Sequence, residues 1–176
     1  MKMLHKYSEK ETKTLLNSLI LLSDTREKDN RHILQSLDEK GIQHKEMKLD
    51  TGDYSFVLPM DRDLGINRDM YFDNEIVVER KRSLEELSNN LAQERQRFEN
   101  EMLRYKGKFI LLIEDGSYTD IFWHTYKTDL NEKAYFASLM SFKARYNIDI
   151  EFVDKRFTWY YIYYSFYYYL RNWLKG

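Results

Sequence analysis

The chain has 176 residues, no cysteine, one proline, and 28 Lys plus Arg against 29 Asp plus Glu, for a net charge of −1. That length argues for a single domain over 1–176, within the usual range of about 100–200 residues. The lack of cysteine excludes a disulfide framework and any thiolate metal site. The even charge balance excludes a globally basic nucleic-acid binder, though a local basic stripe can still stand beside acidic residues.

The N-terminal MKMLHKYSEKETK lacks the apolar core of a secretory signal. The longest uncharged run, Phe157 to Leu170, falls short of the roughly 20 residues that span a bilayer. An intracellular, cytoplasmic location with no membrane partner is therefore expected.

Residues 1–15 predict a polar arm or short helix. The apolar Ser18–Ser23 (SLILLS) predicts a strand buried on both faces, ending at Asp24-Thr25-Arg26-Glu27. Helical spacing of Ile33, Leu34 and Leu37 predicts a helix over Lys28–Lys40, with Gly41 closing it. Ile42–Leu49 and Tyr54–Leu58 predict a hairpin of two strands around Asp50-Thr51-Gly52-Asp53. Pro59–Tyr71 predicts a polar loop.

Glu75–Lys81 (EIVVERK) predicts another strand. Ser83 and Glu86 then form a capping-box pattern for a helix to about Tyr105, with Leu84, Leu87, Leu91, Phe98 and Met102 on one stripe. Lys108–Glu114 (KFILLIE) predicts a buried strand. A helix over Asn131–Tyr146, a strand over Ile148–Val153 and a helix over Thr158–Leu174 follow. Strands alternating with helices predict an α/β fold with helices on both faces of a mixed sheet.

The informative residues are Asp53, after the turn glycine, and Glu79-Arg80-Lys81. Phosphodiester hydrolysis needs hard divalent ions, which favour carboxylates, water and phosphate oxygens. Side chains alternate along a strand, so Glu79 and Lys81 share a face while Arg80 points the other way. Glu79 with Asp53 can hold a metal, and Lys81 can orient or help deprotonate a water. The same pattern also arises where a charged strand end meets solvent. Its position at the end of a buried strand, where sites in open α/β sheets gather, favours the functional reading.

Asp24-Thr25-Arg26-Glu27, LDTGDY, VVERKRSLEEL and FILLIE, in this order and spacing, resemble the nuclease domain of the XPF/Mus-type structure-specific endonucleases. Their signature is GD, then ERK, three residues and an Asp. The resemblance covers about residues 18–115 and implies a restriction-endonuclease-like fold with a central mixed β-sheet. It implies Mg2+- or Mn2+-dependent cutting of branched, flapped or junction DNA in repair, recombination or replication, commonly by a dimer.

By that resemblance Asp53 and Glu79 bind metal, Lys81 is catalytic and Arg80 matches the middle arginine. Asp24 and Arg26 stand at the mouth of the site, Asp24 as a further metal ligand, with Glu27 beside them. Glu85 stands where the family has Asp. Relatives carry an Arg and, four residues later, a Gln on the following helix; Arg95 fits the first, and Glu99 replaces the second. The tandem helix-hairpin-helix module common in relatives is not expected in these 176 residues.

Arg95 also falls on its helix's apolar stripe, where a charge needs a partner. Arg97, Arg104, Lys106 and Lys108 suit a solvated face open to phosphate contact. The tyrosine-rich C-terminal helix suits a homodimer interface, with base stacking as the alternative. The four histidines lack metal-ligand spacing, and Asp61, Asp63 and Asp69 suit a solvated loop. A second reading, a nuclease fold that binds junction DNA or scaffolds a partner without cutting, stays open.

Overall fold

In the computed structural model, residues 6–176 are described, and their elements follow one another as α1 (Glu9–Asn17), β1 (Ile20–Ser23), α2 (Arg31–Glu39), β2 (His44–Glu46), β3 (Tyr54–Leu58), β4 (Met70–Tyr71), β5 (Ile76–Lys81), α3 (Leu84–Ala92), α4 (Arg95–Arg104), β6 (Lys108–Glu114), α5 (Tyr118–Phe122), α6 (Glu132–Tyr146), β7 (Asp149–Val153) and α7 (Thr158–Lys175). The expected alternation of strands and helices is present. The first five residues of the expected N-terminal arm lie outside the described residues. No helix among the described residues is long and apolar enough to cross a membrane.

The residues group into two compact units. Among the described residues the first comprises 6–50, 54–73 and 159–176. In it β1 pairs in parallel with β2 and antiparallel with β3, and β4 adds to β3. The expected β2–β3 hairpin is therefore not formed, because β1 lies between the two strands. The cause is local. Asp24, next after β1, accepts the Leu49 N–H at 2.6 Å, and Arg26 donates to the Leu49 carbonyl at 2.7 Å. These bonds hold the segment after β2 at the end of β1, so the chain crosses that end instead of turning back.

α7 presents Ile162, Phe166, Leu170 and Leu174 as a buried stripe of fourfold spacing. Phe166 meets Phe56 of β3, which also stacks on Phe72. Each such fully buried side chain contributes roughly 1.5–3 kcal/mol by leaving water. The outer face of α7 carries Tyr160 and Tyr168, whereas Tyr169 packs edge-on against Phe56 and Phe72. The expected loop over Pro59–Tyr71 ends in the short strand β4, which pairs with β3, and the loop before it has its own order: Asp61 and Ile66 form an isolated bridge, and Asp61 and Asp69 accept the Leu64 and Met60 N–H groups. Those acids are turn closers.

The second unit comprises 51–53 and 74–158. Its strands run parallel, β6 between β5 and β7. Near-continuous burial of Val77, Val78, Leu111, Leu112 and Ile113 is what a parallel strand covered on both faces requires. Tyr135, Leu139 and Phe142 of α6 join the stripe of α3 and α4 in this core.

The single helix expected over 83–105 is two, α3 and α4, broken at Gln93 and Glu94 without glycine or proline. An unbroken helix would carry Glu94 and Arg95 on the buried stripe after Leu91. The break leaves Glu94 exposed and sends Arg95 to α6. Ser83 caps α3 as expected, but Glu86 reaches back to the Arg82 N–H and guanidinium, each at 2.9 Å, so the reciprocal box on Ser83 is not closed.

A buried ion pair links β5 to β6. Arg80 Nε and Nη2 each lie 3.0 Å from a Glu114 oxygen, with side chains 1% and 0% exposed. Breaking such a pair from one side costs about 3–5 kcal/mol, since a buried charge loses its counterion. Glu114→Ala is expected to lower unfolding stability by that amount in urea denaturation. A loss below about 1 kcal/mol, the value of an exposed pair, would show that the strut does not hold the sheet.

Candidate functional site

Asp53, Glu79 and Lys81 all belong to the second unit. Gly52 makes the approach of Asp53 possible. It sits at φ +74, and a Cβ there would lie 2.8 Å from the Val77 Cβ. Beyond it, the Asp53 N–H donates to the Val78 carbonyl at 2.9 Å, and Asp53 Oδ2 accepts the Arg80 N–H at 2.7 Å. The turn is thus stitched to β5 through both backbone and side chain.

On β5 the alternation is as expected. Lys81 Nζ lies 2.7 Å from Glu79 Oε1, while Arg80 faces Glu114. The Glu79 and Lys81 side chains are 11% and 8% exposed. The Lys81 ammonium also lies 5.0 Å from the centre of the Phe98 ring on α4, a cation–π contact.

Burial pushes the Glu79 carboxyl upward; Lys81 opposes this, and the nearby Glu101 and Glu86 carboxylates add to it. For Lys81 burial disfavours the charge, but Glu79, then Asp53 and Glu86, hold it above the ordinary lysine range. Lys81 is accordingly an ammonium in this state, suited to stabilise negative charge and to orient water rather than to take a proton.

Glu101 on α4 accepts the Gly52 N–H at 3.2 Å. Neither Glu101 nor Glu114 was singled out by the sequence. A signal existed for each: Glu101 lies one turn beyond Phe98 on the buried stripe, and Glu114 ends an apolar strand beside one carrying a buried arginine.

The other expected residues have partners of their own. Asp24 belongs to the first unit. Its Oδ1 accepts the Arg26 N–H at 2.7 Å and Nε at 2.8 Å, and its Oδ2 accepts Leu49 N–H and Arg26 Nη2. Burial works against its charge, but these bonds hold its carboxyl below the usual range. Glu27 donates its N–H to the Asp24 carbonyl and closes the same turn. Burial works against the Glu85 charge, but the Lys127 N–H, accepted at 3.0 Å, together with its own N–H and the Ser83 hydroxyl keeps its carboxyl low.

Arg95 donates to Ser138 Oγ at 2.8 Å and Glu99 at 3.3 Å and lies over the Phe142 ring, so it ties α4 to α6. Glu99 is turned toward Arg95 and Arg145. Arg97 is exposed on α4. His124 contacts Glu132 and the Thr128 carbonyl and stacks on Tyr126, a structural arrangement.

Among the described residues no three His, Cys, Asp or Glu side chains form a ready cage for an ion. The donor set at Asp53 and Glu79 nevertheless suits magnesium, which takes one or two carboxylates and completes its shell with water and phosphate oxygens. An apolar cleft of about 1010 Å³ lined by Tyr118, Phe122, Trp123 and Phe136 contains none of these residues.

Comparison with known proteins gives a family and a fold. No curated protein matches the chain. The XPF structure from Aeropyrum pernix is similar at 18% identity and TM-score 0.59, over 84% of this chain and 59% of that one. The same protein in complex with DNA is similar at 19% identity and TM-score 0.58, over 85% and 63%. The chain thus spans about three fifths of the length of these structures. Its mixed sheet flanked by helices is the restriction-endonuclease-like fold. The model of the ERCC4 domain matches residues 23–163, and the chain belongs to that family.

Proposed function

We propose that this chain is a metal-dependent DNA endonuclease that hydrolyses phosphodiester bonds in branched, flapped or junction DNA. The observation that carries this reading is the Glu79–Lys81 ion pair, with Asp53 bonded to the strand between them. Two hard carboxylates that could hold a divalent ion, beside an ammonium, suit an anionic phosphodiester that must be oriented and relieved of charge. Membership of the ERCC4 domain family and likeness to a structure solved with DNA support a DNA substrate.

Asp53 and Glu79 would hold Mg2+ or Mn2+. A bound ion of this kind activates water and neutralises charge on the leaving oxygen. Lys81 contributes its positive charge to the phosphate, where preorganised donors lower the barrier. Arg80 acts by positioning, through its N–H to Asp53 and its guanidinium to Glu114. The two Asp24 oxygens already accept bonds from Arg26 and Leu49, so Asp24 serves the fold of its own turn. Repair, recombination or replication is the setting such a substrate implies.

Asp53→Asn and Lys81→Ala are each expected to lower cleavage of flap, fork and four-way DNA by about 100-fold or more, as loss of a transition-state electrostatic group does. EDTA is expected to abolish cutting and added Mg2+ or Mn2+ to restore it. Circular dichroism would establish that the variants are folded. Unchanged cutting by either folded variant, or in EDTA, would overturn the assignment.

The outer face of α7 supports a homodimer. Tyr160, Tyr164 and Tyr168 form a row at fourfold spacing, with ring centres 4.4 and 6.2 Å apart, and Tyr163 and Tyr167 flank it. Tyr160 and Tyr168 are exposed, and interfaces favour such rings. Replacing Tyr160, Tyr164 and Tyr168 together with Glu is expected to convert a dimer to a monomer in sedimentation velocity. Monomeric wild-type protein at micromolar concentration would remove this part of the proposal.

A further inference from the structure

One face of α4 meets the candidate site twice. Phe98 lies under the Lys81 ammonium, and Glu101, three residues later on the same face, accepts the Gly52 N–H at 3.2 Å. Gly52 is buried in a left-handed turn that admits no Cβ, and a buried N–H needs an acceptor. The next residue, Asp53, binds the β5 backbone through its N–H and its carboxylate. Glu101 therefore closes the turn from the helix side while β5 closes it from the sheet side. Its charge also reaches Glu79.

Glu99, two residues earlier, is on a different face and engages Arg95 and Arg145. Proximity in sequence to the active strand does not select the residue; the helix face does.

We propose that Glu101 is a positioning residue of the active site: its carboxylate oxygen clamps the Gly52 N–H and so fixes Asp53 against β5. The proposal rests on the nuclease reading above, since it assigns Asp53 to the reaction. Glu101 acts through the turn and touches neither substrate nor ion. What it supplies is a hydrogen-bond acceptor, which glutamine retains and alanine lacks.

The test compares Glu101→Ala and Glu101→Gln with wild type. The first readout is amide hydrogen exchange over Thr51–Asp53 in metal-free protein. The second is cleavage of flap DNA across a Mg2+ titration. Glu101→Ala is expected to speed exchange at Gly52 and Asp53. It is also expected to lose about 10–100-fold in activity or in metal affinity, the usual cost of removing a group that orients a ligand. Glu101→Gln is expected to restore both readouts to near wild type.

Wild-type exchange and cutting in Glu101→Ala would overturn the proposal. So would a Glu101→Gln variant as impaired as Glu101→Ala, because the retained acceptor would then be irrelevant. If wild-type protein does not cut while Glu101→Ala still loosens the turn, the clamp stands and the nuclease reading fails. If wild type cuts, Lys81→Ala does not, and Glu101→Ala matches wild type in both readouts, the reading stands and the clamp fails.

Discussion

Three consecutive ionisable side chains, Glu79, Arg80 and Lys81, are buried on one strand, and that burden organises the second unit. Removing charges from water costs several kcal/mol each unless every one is paired and its remaining polar groups are satisfied. Alternation divides the burden between the two faces of β5. On one face Arg80 needs a carboxylate that can meet a guanidinium in two places, and Glu114 at the end of β6 provides it. On the other face Glu79 and Lys81 neutralise each other at 2.7 Å, with the Phe98 ring closing over the ammonium.

The same burden explains where Asp53 goes. A polar backbone N–H at Arg80 must be satisfied, and an aspartate side chain takes it. The turn that delivers this aspartate has to approach β5 more closely than a residue with a side chain allows, hence Gly52. A structural need and the placement of a candidate ligand are met by one bond. On the proposed reading, pre-ordering of Asp53 is a by-product of solving the hydrogen-bonding problem of a buried strand.

Much of this was legible in the sequence and part was not. Strand alternation fixes Glu79 and Lys81 on one face and Arg80 on the other, because a period of two leaves no alternative. Most strands and helices were legible from apolar runs and stripes, whereas β4 and α5, at two and five residues, are too short to show a period. The pairing of β2 and β3 with β1 was not, because Asp50-Thr51-Gly52-Asp53 has hairpin composition while the decisive bonds join Asp24 and Arg26 to Leu49, more than twenty residues away. The break between α3 and α4 has no glycine or proline to announce it. Glu101 was hidden among the many charges of α4, since only three-dimensional packing separates it from Glu99. The motif residues carried over by resemblance also differ in their partners: Asp24 takes the Arg26 guanidinium and two backbone N–H groups, Glu85 takes a backbone N–H, and Glu79 is matched to Lys81.

The charge around Lys81 bears on how such a site could work. Glu79, Asp53, Glu86 and Glu101 act on the pair, and Glu86 is itself matched by Arg82. Carboxyl groups then outnumber the ammonium, an acidic surplus. That surplus repels a phosphodiester, and a chain with net charge −1 has no general basic field to overcome it. A divalent cation carries the charge that cancels the surplus. On the proposed reading, the site is therefore unfavourable to its own substrate until the cation is present, which couples DNA engagement to metal binding through electrostatics alone. On the same reading, a cation held by Asp53 and Glu79 would neutralise the acids and leave the charge of Lys81 to act on phosphate rather than on Glu79.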